Sequence, residues 1–325
     1  MIISKTPVRI SLFGGGTDFP EYFKSKPATI IGGSIDKFIY ISIIKQNSKI
    51  TKKKIKLFYR LKEEVKKISD IKHNVIKKAL ELYDLKDNVE IHISSDLPSY
   101  SGLGSSSAFS VGLLNLLDHN NQKKKTNYNL AKNTINFERK ILKETVGWQD
   151  QIHATYGGFN KIIIYKNKFK VKKIINDKKL KKLEKNLYLV FTGITRKAQT
   201  IEKKKIKNIK KNKIYLDQIN QITKKASKAL KEKKIDLKKV GNLLDEMWNL
   251  KKKLSNKITN KKIDYIYNIA KKNGAIGGKL LGAGSGGFIL FVVSSNKKNF
   301  FLKSMKNYDV VNFKFSSFGS QIFKL

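Results

Sequence analysis

Leu97-Pro98-Ser99-Tyr100-Ser101-Gly102-Leu103-Gly104-Ser105-Ser106-Ser107-Ala108 is the stretch from which the rest of the chain is read. The alternating segment Val89–Ser94 precedes it and reads as a strand; the apolar segment Ser107–Leu117 follows and reads as a helix. Glycines let a backbone approach a ligand closely. A helix start offers free N–H groups and the positive end of the dipole, which suits phosphate. Serine hydroxyls there can cap the helix, bind phosphate oxygens or ligate magnesium. No Gly-Lys-Ser/Thr follows, so this is not a Walker A loop, and Gly102-x-Gly104 with Ser107 third is not the dinucleotide spacing. A plain serine-capped helix is the bland alternative.

Two further glycine-rich stretches flank it at a distance. Pro7-Val8-Arg9-Ile10-Ser11-Leu12-Phe13-Gly14-Gly15-Gly16-Thr17-Asp18 is an apolar strand that delivers a tight turn ending in a carboxylate. Asp18 there suits sugar hydroxyls or a helix N-cap. Gly277-Gly278-Lys279-Leu280-Leu281-Gly282-Ala283-Gly284-Ser285-Gly286-Gly287 holds six glycines in eleven residues. Ordering so many glycines is entropically costly, which favours a loop that must approach a phosphate or substrate. Between the two, Glu138 falls in a helical stretch and Asp150 in a turn within Gly147-Trp148-Gln149-Asp150-Gln151. Two separated acids suit a magnesium ligand and a group that orients or deprotonates a hydroxyl nucleophile.

Periodicity supplies the scaffold. Strands are expected at Ile2–Phe13, Ser34–Ile44 and Leu187–Phe191, a short edge strand at Ile55–Tyr59, a buried strand at Phe288–Val293, a strand at Val310–Phe315, and a hairpin over Gly157–Val171. Helices are expected at Asp70–Tyr83, Asn129–Lys143, Lys197–Lys231 with a break near Asn212, Leu237–Leu254, Ile263–Lys272 and near Lys297–Lys306. The pieces are segregated rather than a βαβ alternation, so the class is α+β. The polar Asn176–Lys185 is the expected boundary between domains 1–175 and 186–325.

Composition bounds the function. The chain has 325 residues, with 69 Lys plus Arg against 25 Asp plus Glu, a net charge of +44, no cysteine and 40% hydrophobic residues. Absent cysteine excludes disulfides, Cys-ligated zinc, iron–sulfur clusters and thiol catalysis. No apolar run reaches the ~20 residues that span a bilayer, and Lys5 and Arg9 interrupt the only signal-like stretch, so a cytoplasmic location is expected. Positive charge raises nucleic acid as a partner, yet lysine is spread from end to end and only Arg9, Arg60, Arg139 and Arg196 are arginine. That pattern fits AT-rich codon usage better than a dedicated surface. Where arginine survives among so much lysine, a planar, always-charged fork is expected to matter. The four histidines show no metal spacing, Trp148 suits either sugar stacking or the core, and the lysine runs 203–205 and 251–253 read as solvated helix faces.

Taken together and in this order, the three motifs resemble the GHMP kinase superfamily, over Pro7 to Phe288. Phe13–Tyr22, Gly147–Gln151 with Gly157-Gly158-Phe159-Asn160, and Thr192–Arg196 are similar to the D-glycero-D-manno-heptose 7-phosphate kinase branch. The resemblance implies a two-domain fold, with an N-terminal part like domain 2 of ribosomal protein S5, a ferredoxin-like C-terminal part, and a cleft between them. It implies ATP and Mg2+ as cofactors, and a sugar phosphorylated at its anomeric hydroxyl to the 1,7-bisphosphate, on the way to nucleotide-activated heptose for lipopolysaccharide. Gly102, Leu103, Gly104, Ser105, Ser106 and Ser107 would hold the ATP phosphates. Ser106 and Glu138 would ligate magnesium, with Ser105 and Ser107 open as alternatives. Asp150 would be the catalytic aspartate, orienting or deprotonating the sugar hydroxyl, with Arg9 beside it. Gly16, Thr17 and Asp18 would face the sugar, and Gly282, Gly284 and Gly286 would close over the reacting groups. Arg196 or Lys279 could hold the substrate's existing phosphate. The implied partners are the sugar phosphate and ATP, with no specific nucleic acid and no membrane; a homodimer is compatible. A kinase of fucose, arabinose or an isoprenoid alcohol is the alternative, and a nucleic-acid-binding protein a remote one.

Overall fold

Strand β1 (Ile2–Phe13) is buried along its C-terminal half. The computed structural model describes residues 1–46, 54–85, 88–196, 209 and 211–325. After a short helix α1 (Pro20–Phe23), the isoleucine-rich β2 (Ala28–Lys45) runs antiparallel to β1. Its second half also pairs β5 (Val89–Ser95) and its first half pairs β6 (Phe159–Tyr165). The strand expected at Ser34–Ile44 begins six residues earlier, and Gly32 and Gly33 lie in its ladders with β1 and β6.

The first sheet runs β12 (Gln321–Lys324), β1, β2, β5, β3 (Ile55–Phe58) and β4 (Lys62–Val65), with β6 branching from β2 and β7 (Lys168–Lys173) pairing β6. β3 (Ile55–Phe58), expected at the edge, has β5 on one side and β4 (Lys62–Val65) on the other. β4 escapes prediction because its sequence, Lys62-Glu63-Glu64-Val65, carries one apolar residue. Helix α2 (Asn74–Leu82) follows a turn of 3-10 helix at Ile68–Asp70. Helix α3 (Ser105–Asn120) packs across β1 and β2, and α4 (Asn127–Asn136) continues through one π-helical turn at Phe137–Ile141. Helix α5 (Gln149–Tyr156) is too short and too close to Gly147 to show a helical period. The polar stretch Asn176–Lys185 contains helix α6 (Asp177–Glu184), capped by Asn176 and anchored by the buried Leu183.

The second sheet is antiparallel in the order β11-β8-β10-β9, from β8 (Leu187–Phe191), β9 (Ala275–Leu280), β10 (Phe288–Val293) and β11 (Val310–Val311). Helix Lys213–Lys231 begins just after Asn212, where the break is expected. The N-terminal part of that expectation, residues 197–208 and 210, lies outside the described residues, as does the lysine run 203–205. Helices Leu237–Lys253 and Lys261–Lys272 stand within two residues of their expected bounds, with Trp248 fully buried. Of the strand expected at Val310–Phe315, only Val310–Val311 pairs β8; Phe315 bridges to Ile35 in the first sheet. The chain then closes with β12 (Gln321–Lys324) on β1, so the tail stands in the first sheet rather than with the rest of 186–325. The α+β class is as expected, and buried apolar side chains from both sheets form one continuous cluster.

Helix Leu237–Lys253 lies directly on β9. Gly277, expected in a loop, is in that strand, and a methyl group on it would sit 2.0 Å from the Gly241 carbonyl oxygen. Gly277→Ala must push helix and strand apart, so we expect urea unfolding to show a loss of about 1–3 kcal/mol; an unchanged midpoint would contradict this packing.

Candidate active site

Pro7 has no N–H to give to the β1–β2 ladder, and the register shifts between Pro7 and Arg9. There β1 turns to a new partner: the Arg9 N–H donates to the Leu103 carbonyl at 2.9 Å. The Arg9 side chain is 5% exposed and uses its whole fork. Nε and Nη2 donate to the two oxygens of Asp150 at 2.9 and 2.7 Å, and Nη1 donates to the Gly102 carbonyl at 2.6 Å. A bidentate charged pair fixes both distance and orientation. Asp150 stands not in a turn, as the sequence suggests, but in the first turn of α5.

Gly104 lies flat on this pair. An added Cβ would meet Asp150 Oδ2 at 3.1 Å and Arg9 Cζ at 3.2 Å. Gly104 is also the N-cap of α3, in left-handed backbone and with no side-chain cap. The serines therefore do not cap the helix. Among the described residues, the N–H groups of Ser105, Ser106 and Ser107 donate to no backbone carbonyl, and the first such bond is Ala108 to Gly104. Unpaired helix-start donors beside a carboxylate–guanidinium pair can hold phosphate next to a group that orients a nucleophile.

The third glycine stretch closes on this loop backbone to backbone. Phe288 N–H donates to the Ser101 carbonyl at 3.1 Å, and a Cβ on Gly282 would fall 2.6 Å from Gly102 Cα. Gly284 and Gly286 pack as closely on Ile258 and Ile194. Arg196 joins from the same side, its N–H donating to the Tyr100 carbonyl at 3.2 Å.

Ser107, not Ser106, meets Glu138: its hydroxyl donates at 3.0 Å, while Ser106 is exposed. Gln151, for which the sequence offers no role, donates from Nε2 to both Ser107 and Glu138. Glu138 is fully buried, and burial pushes its carboxyl up to about 7. Its Oε1 has no hydrogen-bond partner among the described residues. Among the described residues no three His, Cys, Asp or Glu side chains gather as a metal cage. One carboxylate with an unused oxygen plus serine hydroxyls is a hard, all-oxygen donor set. That fits magnesium, which keeps its remaining positions for water and substrate phosphates.

Asp18 is 1% exposed, and it joins the first glycine turn to the start of α5. It accepts from Gly16 N–H at 3.0 Å and Gln149 N–H at 3.2 Å. Gly147 is required beside it, since a Cβ would overlap Asp18 Oδ2 at 2.0 Å. Burial, with the Asp150 charge nearby, pushes Asp18 up to about 6. Thr17, expected on the sugar, is buried and gives its hydroxyl to the Gly14 carbonyl. Lys279 is a correction as well: it is 3% exposed and donates to the Ser11 and Leu12 carbonyls at 2.8 and 3.0 Å, a strut between the sheets. Arg139 reaches the Val146 carbonyl and Glu21 Oε1, bracing the turn before Gly147. Trp148 is buried edge-on against Phe23, in the core. His153 is fully buried, and burial with Arg9 nearby pushes it down to about 3, so it is neutral.

Residues 72–158 match the family model described as the GHMP kinases N terminal domain, and residues 226–309 match GHMP kinases C terminal. The chain is 31% identical, over an alignment of 340 positions, to D-glycero-alpha-D-manno-heptose 7-phosphate kinase of Campylobacter jejuni, covering 100% of this chain and 99% of the relative. In three dimensions it is similar to a D-glycero-D-manno-heptose 1-phosphate kinase from Bacteroides thetaiotaomicron (TM-score 0.82, 24% identity, 100% and 99% of the two chains). It is also similar to mevalonate kinase of Methanococcus jannaschii (TM-score 0.74, 25% identity, 97% and 98%).

The buried Glu138 predicts a pH dependence of stability. Its carboxyl binds a proton more tightly folded (about 7) than at its ordinary 4.5, so stability falls as pH rises across that window. In magnesium-free buffer, wild type should lose more unfolding free energy between about pH 5 and 8 than Glu138→Gln does, by up to roughly 3 kcal/mol. Parallel curves would contradict the buried carboxyl.

Proposed function

The chain belongs to the GHMP kinase family and is a sugar kinase, and on that premise we propose that it transfers the γ-phosphoryl group of ATP to the anomeric hydroxyl of D-glycero-D-manno-heptose 7-phosphate, giving the 1,7-bisphosphate. The observation that carries this reading is the contact of Gly104 with the Arg9–Asp150 pair. It sets an open helix N-terminus, the place for the ATP phosphates, against the carboxylate that would meet the sugar hydroxyl.

Each residue then has a task. The N–H groups of Ser105–Ser107 hold phosphate oxygens without having to reorganise. Asp150 accepts the hydrogen bond of the attacking hydroxyl, aligns it and takes its proton as the phosphoryl group moves. Arg9 holds that carboxylate in one orientation and offsets negative charge around the transferred group. Magnesium, held by Glu138 with Ser106 or Ser107, would supply positive charge to the phosphate oxygens. Arg196, beside Tyr100 at the rim, is suited to the substrate's own phosphate. The similarity to the Campylobacter jejuni enzyme over the whole chain supports heptose 7-phosphate as the substrate. The anomeric phosphate so formed is the group that a later nucleotide activation of the heptose, for lipopolysaccharide, would use. Among the described residues no helix is long and apolar enough to cross a membrane.

ADP release measured against a panel of sugars, sugar phosphates and mevalonate should give the highest kcat/KM with the heptose 7-phosphate. Asp150→Asn should lower kcat by about 100-fold or more while ATP still binds. A clear preference for fucose, arabinose or an isoprenoid alcohol would overturn the substrate assignment.

A further inference from the structure

We infer that Lys251 is a positioning residue for phosphoryl transfer, an inference that rests on the kinase reading of the site. It opens the run Lys251-Lys252-Lys253 at the end of helix Leu237–Lys253, a run that reads in sequence as a solvated face. The structure turns Lys251 inward instead. It is 7% exposed, and its ammonium donates to the Leu280 carbonyl at 2.7 Å and the Gly282 carbonyl at 2.6 Å. Those two carbonyls bracket the point where β9 gives way to the glycine loop.

A charge held out of water is tolerated only where its donors are satisfied, so this arrangement is selective for one loop conformation. The peptide that carries the Gly282 carbonyl also carries the Ala283 N–H, which in a trans peptide points the opposite way. Among the described residues that N–H donates to no backbone carbonyl. Lys251 thus draws the carbonyl side of the loop toward the helix and leaves the donor side facing away from it. The same Gly282 rests on Gly102. Gly102 in turn gives its carbonyl to Arg9 Nη1, and Arg9 grips Asp150. Four contacts therefore lead from Lys251 to the carboxylate, although Lys251 touches no reacting group.

Steady-state kinetics of the full chain, with thermal unfolding run in parallel, test this. Lys251→Met keeps the length of the side chain and removes its donors; Lys251→Gln keeps one amide donor; Lys253→Met, on the exposed end of the run, is the control. Lys251→Met should lower kcat about 10- to 100-fold, with the sugar KM changed by less than about threefold. Partial recovery is expected in Lys251→Gln and wild-type behaviour in Lys253→Met. Wild-type kcat in a folded Lys251→Met would overturn the inference, as would an effect on KM alone. Loss of the fold in both Lys251 variants would also overturn it, since the residue would then support the fold and not the loop. If the wild type itself phosphorylates no sugar, it is the kinase reading that falls; an active wild type with an equally active Lys251→Met removes only the role of Lys251.

Discussion

The Arg9–Asp150 pair is the constraint on which the rest of the site depends. The fork leaves neither partner a free rotation: two donors fix the carboxylate and a third is tied to the Gly102 carbonyl. Arg9 comes from the first strand, Asp150 from α5 and Gly102 from the serine loop, so three segments far apart in sequence are fixed at one point. A lysine could neutralise the charge but could not make three directed bonds in one plane.

Bringing backbone from both sheets to that point requires the absence of side chains. Gly104 lies over the pair, and Gly102 and Gly282 touch back to back. The glycine wealth of the three motifs is in good part a packing requirement, met where loops of different sheets approach within the width of a methyl group. Buried cations make up for what such loops lack. Lys279 ties β9 to the end of β1, and Lys251 ties the start of the third loop to its own helix.

Much of this was legible in the sequence. β1, β5, β8 and β10 follow from alternation or apolar runs, and the joint order of three glycine motifs with Glu138 and Asp150 points to phosphoryl transfer. Of the arginines expected to matter, Arg9 binds Asp150 and Gly102 through its fork, Arg139 reaches the Val146 carbonyl and Glu21, and Arg196 bonds Tyr100 through its backbone. What was not legible depends on direction rather than composition. Lys251 and Lys279 look like any other lysine until burial is known. Ser107 differs from Ser106 only by 100° around a helix. Thr17 reads as a sugar contact and Asp18 as a sugar contact or a cap; the fold ties Thr17 to the Gly14 carbonyl and Asp18 to the N–H groups of Gly16 and Gln149. Helix α5 was hidden by its eight-residue length, and with it the pairing of Gln151 with Glu138.

The central claim is that Arg9 and Asp150 act as one unit in catalysis, and a double-mutant cycle on kcat/KM tests it most directly. Arg9→Met and Asp150→Asn should each remove most of the activity, and the double variant should be no worse than the poorer single one, as for groups that work only together. If the two losses instead multiply, the residues act independently, and the pair is not the centre of the site.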